Sequence, residues 1–288
     1  MLSDPILQTC AEAIGAPVKR QLPVSGGSIN AAYRLDTEHG AFFLKTNDAP
    51  QANAMMAADA YGLQLLSRNG PLRVPEVIAQ GTISDQSYLL LSFIEEGRAT
   101  PDSWQAFGEG LAEVHRQTAD SFGLDRNNFI GSLPQSNNRH TAWPAFYQEE
   151  RLRPQVQMAL QQGLLWTGAE AQFDTLYQRL PEICPEEPPA LTHGDLWSGN
   201  YLIAANGAPV LIDPAVSYAH REMDLGMSLL FGGFAPAFYE AYERAYPTAP
   251  GFRERAGIYN LYYLLVHVNL FGQSYTGAVR EIVDHWVH

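Results

Sequence analysis

Residues 191–213 read LTHGDLWSGNYLIAANGAPVLID, and this segment constrains the fold and chemistry of the chain more than any other. An apolar approach, Ala190-Leu191-Thr192, runs into a polar loop that opens His193-Gly194-Asp195. Two short apolar runs follow, 201–203 and 210–212, and the Asn206-Gly207 pair between them has the chemistry of a tight hairpin turn. The segment therefore presents Asp195 in a loop, Asn200 five residues later, and Asp213 where the second hairpin strand must turn before Pro214.

Each residue has a plain structural reading when taken alone. Asp195 could be an Asx-turn aspartate in a Gly-rich loop, and Asp213 a turn former before proline. Together they match a phosphoryl-transfer centre. One carboxylate orients the attacking hydroxyl, while an amide oxygen and a second carboxylate hold Mg²⁺ on the nucleotide phosphates. The spacing from Asp195 to Asn200 equals that of the kinase catalytic loop H-R-D-x-x-x-x-N.

Other chemistries find no support. Ser198 lies in Trp-Ser-Gly rather than in a G-x-S-x-G elbow, and neither HExxH nor paired CxxC occurs. His267, in an apolar helical stretch, reads as a satisfied core histidine. A formal net charge of −13 argues against a nucleic-acid partner, because such proteins gather Lys and Arg to displace phosphate counterions. The two cysteines, Cys10 and Cys184, form no disulfide framework and suit a reducing compartment. The first residues, MLSDPILQTC, lack the pattern of a signal peptide, and no apolar run approaches the roughly 18–20 residues of a membrane span. The expectation is a cytoplasmic protein with no membrane partner.

The pattern along the chain predicts two lobes. A helix is expected over residues 1–16, strands over 18–24, 29–35 and 41–45, a helix over 51–67, and strands over 77–81 and 88–93. That makes a five-stranded antiparallel sheet with one inserted helix. After Glu95-Glu96-Gly97 the pattern turns helical, over 104–118, 141–163, 168–180 and again from 224. The expected fold is α+β and protein-kinase-like, with a nucleotide-binding lobe at 1–95 and a larger, mainly helical catalytic and substrate lobe at 96–288.

The first lobe carries candidate nucleotide contacts. Gly26, Gly27 and Ser28 sit between the first two strands, where backbone amides can approach phosphate oxygens, although a GG pair alone is an ordinary hairpin turn. Lys45 ends the run Ala41-Phe42-Phe43-Leu44-Lys45, as does the strand lysine that pairs with nucleotide phosphates. Asp59, fourteen residues later on the predicted helix, stands where a kinase usually carries the Glu that orients this lysine. Aspartate is one methylene shorter, so the pair requires closer packing or a bridging water. Ser92, Phe93 and Ile94 fall at the lobe connection, where backbone groups could bind adenine; that assignment rests on position.

Beyond these shared features the chain resembles the fructosamine kinase, or ketosamine-3-kinase, family of the aminoglycoside-phosphotransferase-like branch. The resemblance rests on HGDLWSGN at 193–200 and IDPAVSYAHREMDLGMSLLFGGF at 212–234. GGSINAAY at 26–33, FGLD at 122–125, NFIGSLPQ at 128–135, FYQEERLRPQ at 146–155 and LYYLLVHVNLFG at 261–272 extend it over nearly the whole chain. It implies ATP- and Mg²⁺-dependent phosphorylation of the sugar 3-hydroxyl of ketosamines, including glycated lysine on peptides. The 3-phosphate in that family makes the adduct unstable, so the amine is regenerated. By the same match Asp195 is the catalytic base, Asn200 and Asp213 the metal ligands, and Lys45 the phosphate-contacting lysine. Trp197 would face the substrate cleft, its ring stacking on the sugar-amine, unless it is a core aromatic under the loop. Asp224 would buttress the catalytic loop. Asp59 stands in place of the usual helix Glu and Ser28 where the family often carries an acidic residue after the glycines; both departures lie in the nucleotide half. The alternatives are a kinase of the same fold acting on an aminoglycoside- or choline-like amine, and a non-catalytic nucleotide-binding protein.

Overall fold

The computed structural model describes residues 2–24 and 30–287. Gly26, Gly27 and Ser28 lie outside the described residues. Helix α1 (Asp4–Ile14) precedes strands β1 (Arg20–Pro23), β2 (Ala31–Thr37) and β3 (Gly40–Asn47), helix α2 (Ala52–Asn69), and strands β4 (Val77–Ile83) and β5 (Gln86–Ser92). These strands form the expected five-stranded antiparallel sheet, in the order β1-β2-β3-β5-β4.

Alternation along β3 and β5 explains why the sheet is covered by a helix on each face. Leu44 and Leu90 point towards α1, where they join Ile6, Cys10 and Leu35; Leu89 and Leu91 point the other way, onto Met56, Ala60 and Leu63 of α2. Lys45 follows Leu44 in the strand, so the two-residue period turns it to the α2 side, towards Asp59. An ionisable side chain is thereby drawn into an otherwise apolar face.

Helix α3 (Pro101–His115) opens the second part of the chain, its first turn closed by a capping box between Thr100 and Ser103. A small hairpin follows, β6 (Asn128–Ile130) and β7 (Leu133–Gln135). The expected helix over 141–163 proves to be composite: α4 (Trp143–Phe146), a π-helical segment Tyr147–Leu152, and α5 (Arg153–Gln161). Helix α6 (Ala169–Ile183) runs through Pro181 and stops before the Pro-rich connector.

Strand β8 (Ala190–Thr192) delivers the chain to the catalytic-type loop, and the expected hairpin appears as β9 (Tyr201–Ile203) and β10 (Pro209–Leu211). Strand β11 (Ser217–Ala219) returns antiparallel to β8, with Ser217 opposite Thr192. Pattern reading missed β6, β7, β8 and β11 because three-residue strands carry too little periodicity to register. Helices α7 (Glu222–Leu230), α8 (Pro236–Ala245), α9 (Phe252–Phe271) and α10 (Thr276–Val287) complete the chain. Helix α9 is apolar on nearly every side and forms the spine of the larger core, where Tyr259, Leu261, Tyr262 and Leu265 meet Phe146, Tyr147 and Phe173. A second core joins α3, α7 and α8 to Leu191, Leu196 and Leu211, and so clamps the loop from beneath.

Candidate active site

Pairing of β8 with β11 fixes both ends of the segment 193–216, which carries Asp195, Asn200 and Asp213. Between them the backbone is held by three buried groups. The amides of His193 and Gly194 donate to the two carboxylate oxygens of Asp224 at 2.7 and 2.8 Å. The Gly194 carbonyl accepts from the Tyr263 hydroxyl at 3.0 Å, and the His193 ring meets the Ile212 carbonyl at 2.9 Å. Glycine is required at 194: its φ is +83°, and a Cβ there would lie 2.1 Å from the Ala215 carbonyl oxygen.

Asp224 is fully buried. Burial would raise its carboxyl, but hydrogen bonding from His115, the charges of His115 and His193, and the Gly194 amide outweigh that and keep it below the usual carboxylate range. His115, from the end of α3, stands 3.1 Å from Asp224 through Nε2 and 2.7 Å from the Tyr242 hydroxyl through Nδ1. Asp224 thus has the buttressing geometry expected for it. His115, Tyr242 and Tyr263 were not singled out in the sequence. The first lies 109 residues from Asp224 along the chain, so no local spacing could announce the contact.

Asn200 folds back on the loop. Its Nδ2 donates to the Asp195 backbone carbonyl at 2.9 Å and to Asp195 Oδ2 at 2.8 Å. Burial pushes the Asp195 carboxyl up to about 7; the Asn200 hydrogen bond opposes the shift, and the negative charges of Asp213 and Asp224 add to it.

Asp213 follows β10 with φ +54°, a left-handed conformation uncommon outside glycine, in which Asp is among the more tolerant residues. This turn swings its carboxylate across to Lys45, with which it forms an ion pair. Lys45 Nζ also meets Asp59 Oδ2 at 2.7 Å, so the pair forms directly, by closer packing and without a bridging water. Burial would push the Lys45 ammonium down, but the carboxylates of Asp213 and Asp59 outweigh it and hold the lysine charged, above its usual value. Asp59 Oδ1 is buried with no hydrogen-bond partner among the described residues.

The lobe-connection residues continue from the end of β5, the strand that pairs with the Lys45 strand β3. Ser92 is paired with Glu76, its amide donating to the Glu76 carbonyl and its Oγ accepting from the Glu76 amide, both at 2.9 Å. The Phe93 amide donates to the Ala41 carbonyl at 3.3 Å, and its ring lies under the Arg34 guanidinium. Ile94 packs with Ala204 and Val210 of the hairpin region, linking the connection to the loop segment. Trp197 is not a core aromatic. It is 39% exposed, lies across Gly199 and meets Phe231 edge-on at 6.5 Å, at one end of an aromatic run that continues through His267 to Phe271 and Tyr275.

Among the described residues no group of three or more His, Cys, Asp or Glu gathers as a metal cage, and no helix is long and apolar enough to cross a membrane. Asp213 and Asn200 nevertheless lie on neighbouring stretches of backbone, where the Ile212 amide donates to the Asn200 carbonyl at 3.1 Å, and each carries a hard oxygen donor. With its amide nitrogen turned to Asp195, Asn200 has Oδ1 left as an acceptor. That donor set suits Mg²⁺, which binds through one or two protein oxygens together with phosphate.

The fructosamine kinase family model matches residues 3–288. A probable ketoamine kinase of Lactiplantibacillus plantarum is 44% identical over 92% of this chain and 94% of its own length. A chloroplastic protein-ribulosamine 3-kinase of Arabidopsis thaliana is 36% identical over 100% of this chain and 89% of its own length. The crystal structure of a candidate fructosamine-3-kinase from Thermobifida fusca superposes with a TM-score of 0.89 at 33% identity, covering 98% of each chain. The aminoglycoside phosphotransferase APH(4)-Ia, at 18% identity and a TM-score of 0.61 over 97% of this chain and 98% of its own, shares the protein-kinase-like fold. The chain therefore belongs to the fructosamine kinase family, as an α+β, protein-kinase-like phosphotransferase with an alcohol hydroxyl as acceptor.

Proposed function

We propose that the chain transfers the γ-phosphoryl group of ATP to the 3-hydroxyl of a ketosamine, with Asp195 as the base that orients the hydroxyl and accepts its proton. The observation that carries this reading is the convergence of Asp195, Asn200, Asp213 and Lys45, from four separate positions, in a chain of this family. The attacking oxygen forms its bond to the γ-phosphorus as the bond to the ADP oxygen breaks, and the hydroxyl proton passes to Asp195. Asn200 holds the Asp195 carboxylate in one rotamer through their 2.8 Å contact. Lys45, kept charged between Asp59 and Asp213, supplies a fixed positive charge to nucleotide phosphates. Asn200 and Asp213 are the residues that would hold Mg²⁺; when bound, the ion neutralises phosphate charge and fixes the nucleotide's geometry.

Residues 1–95 form the nucleotide lobe in this reading and 96–288 the catalytic and substrate lobe. Gly26, Gly27 and Ser28 would cover the phosphates, and Ser92, Phe93 and Ile94 would line the adenine side. Trp197 offers an exposed aromatic face beside the loop, suited to the sugar-amine. The acceptor is a free ketosamine or glycated lysine in a peptide. Two buried free thiols, Cys10 and Cys184, suit a cytoplasmic location.

The test supplies Mg-ATP with fructosyl-, ribulosyl- and erythrulosyl-lysine, an aminoglycoside and choline, and follows ADP release. Turnover of at least one ketosamine with acceptor 3-phosphate formed is expected. Robust turnover of the aminoglycoside or choline with none of any ketosamine would overturn the substrate assignment.

A further inference from the structure

Helix α2 carries a glycine in its interior, Gly62, three residues after Asp59 and on the same side of the helix. An interior glycine weakens a helix relative to alanine, so its presence calls for a local reason. The reason lies across the interface. A Cβ on Gly62 would stand 2.9 Å from Pro214 Cγ, 3.5 Å from Pro214 Cβ and 3.5 Å from Val216 Cγ2. Proline's ring cannot swing aside as the end of a flexible side chain can. Pro214 directly follows Asp213, so the helix that carries Asp59 and the segment that carries Asp213 touch at Gly62, one helical turn from the bridge that Lys45 makes between them.

We propose that Gly62 is a positioning residue that sets the width of the Asp59–Lys45–Asp213 bridge, and that Asp59 and Gly62 form a matched pair. The missing side chain brings α2 in by the distance that the shorter acid requires. This rests on the reading of Lys45 as the phosphate-contacting lysine. Ordinary carbon–carbon contact lies near 3.5–4.0 Å, so a methyl at 62 would force α2 and Pro214 apart by roughly 1 Å. Lys45 cannot follow α2 outward without leaving Asp213, because its ammonium is held from both sides. A 2.7 Å contact stretched by that amount is no longer a hydrogen bond. Glutamate at 59 has the opposite fault: in the close-packed gap its extra methylene has to buckle or push the helix out.

The test is a double-mutant cycle with Gly62→Ala, Asp59→Glu and both together, read by nucleotide affinity with a fluorescent ATP analogue, by kcat and KM for ATP, and by thermal unfolding. Each single variant is expected to weaken nucleotide handling by roughly ten- to hundredfold, the scale of a lost charged hydrogen bond. The double variant should return to within about threefold of the parent, since the longer acid spans the wider gap. Pro214→Ala, which removes the atom that the new methyl meets, should relieve Gly62→Ala as well. A role confined to helix packing would lower the unfolding temperature of Gly62→Ala without rescue by Asp59→Glu. Losses that multiply in the double variant, or a Gly62→Ala protein with unchanged nucleotide affinity, overturn the proposal. Should Gly62→Ala not fold, Asp59→Glu alone decides: parent-like nucleotide affinity in that variant sinks the matched pair. The affinity readout needs no acceptor, so failure of the ketosamine assignment leaves this cycle interpretable.

Discussion

Asn200 donates its amide to Asp195 Oδ2 at 2.8 Å, so the residue assigned to the metal also holds and tunes the residue assigned to the proton. The contact favours the ionised form of a carboxyl that burial otherwise pushes to about 7. Removing it should move the carboxyl further up. Asn200→Ala is therefore expected to shift the acidic limb of the kcat/KM profile for the acceptor to higher pH, as well as to weaken Mg²⁺ dependence. A profile whose limb stays in place would separate Asn200 from the titrating group.

For the parent protein, log(kcat/KM) for the acceptor should fall with unit slope as pH drops below about 7, because only the ionised Asp195 can take the hydroxyl proton. Asp195→Asn removes the base and should cost roughly 10²–10⁴-fold in kcat, while nucleotide affinity changes little. Single-turnover transfer with nucleotide titration checks both halves. Parent-like turnover rejects the assignment.

The same carboxyl carries a stability consequence of opposite direction. Its folded value, about 7, lies above the ordinary aspartate value of 3.8, so the native state holds a proton that the unfolded chain has released between those pH values. Stability is then lost as pH rises through that window. Asp195→Asn, which cannot ionise, should be more stable than the parent by roughly 1–3 kcal/mol at pH 8 and level with it near pH 4. Denaturant midpoints at the two pH values test the sign.

Lys45→Met should abolish productive nucleotide binding and also destabilise the fold by about 3 kcal/mol, since Asp59 is left as an unpaired acid in an apolar face. Adding Asp59→Leu should restore most of the unfolding temperature but none of the activity. Recovery of activity in that pair would remove Lys45 from the mechanism.

Trp197→Ala is expected to raise KM for the ketosamine about tenfold or more, with KM for ATP unchanged. At 39% exposure the ring contributes little to the core, so the unfolding temperature should move by only a degree or two. An equal rise in both KM values would assign the ring to loop packing instead.

Much of this arrangement was legible in the order of residues. The short apolar runs around Lys45 and Leu90, bounded by turn residues, predicted the antiparallel sheet, because strand length and turn chemistry are local. The loop and hairpin from His193 to Asp213 were equally plain, since turn chemistry at Gly194 and Asn206-Gly207 is local. What stayed hidden depends on distance along the chain. His115 reaches Asp224 across 109 residues, Tyr263 reaches Gly194 across 69, and strands β8 and β11 exist only through each other.

Asp59 shows the division most clearly. The sequence by itself determined which residues are present, their side-chain chemistry and the face of the strand or helix each occupies, so it could say that Lys45 needs an acid and that aspartate is short. Only the tertiary structure decided that the acid reaches, because the reach is set by a packing distance between Gly62 and Pro214. Periodicity encodes direction within an element, whereas the separation between elements follows from the volumes that meet at their interface.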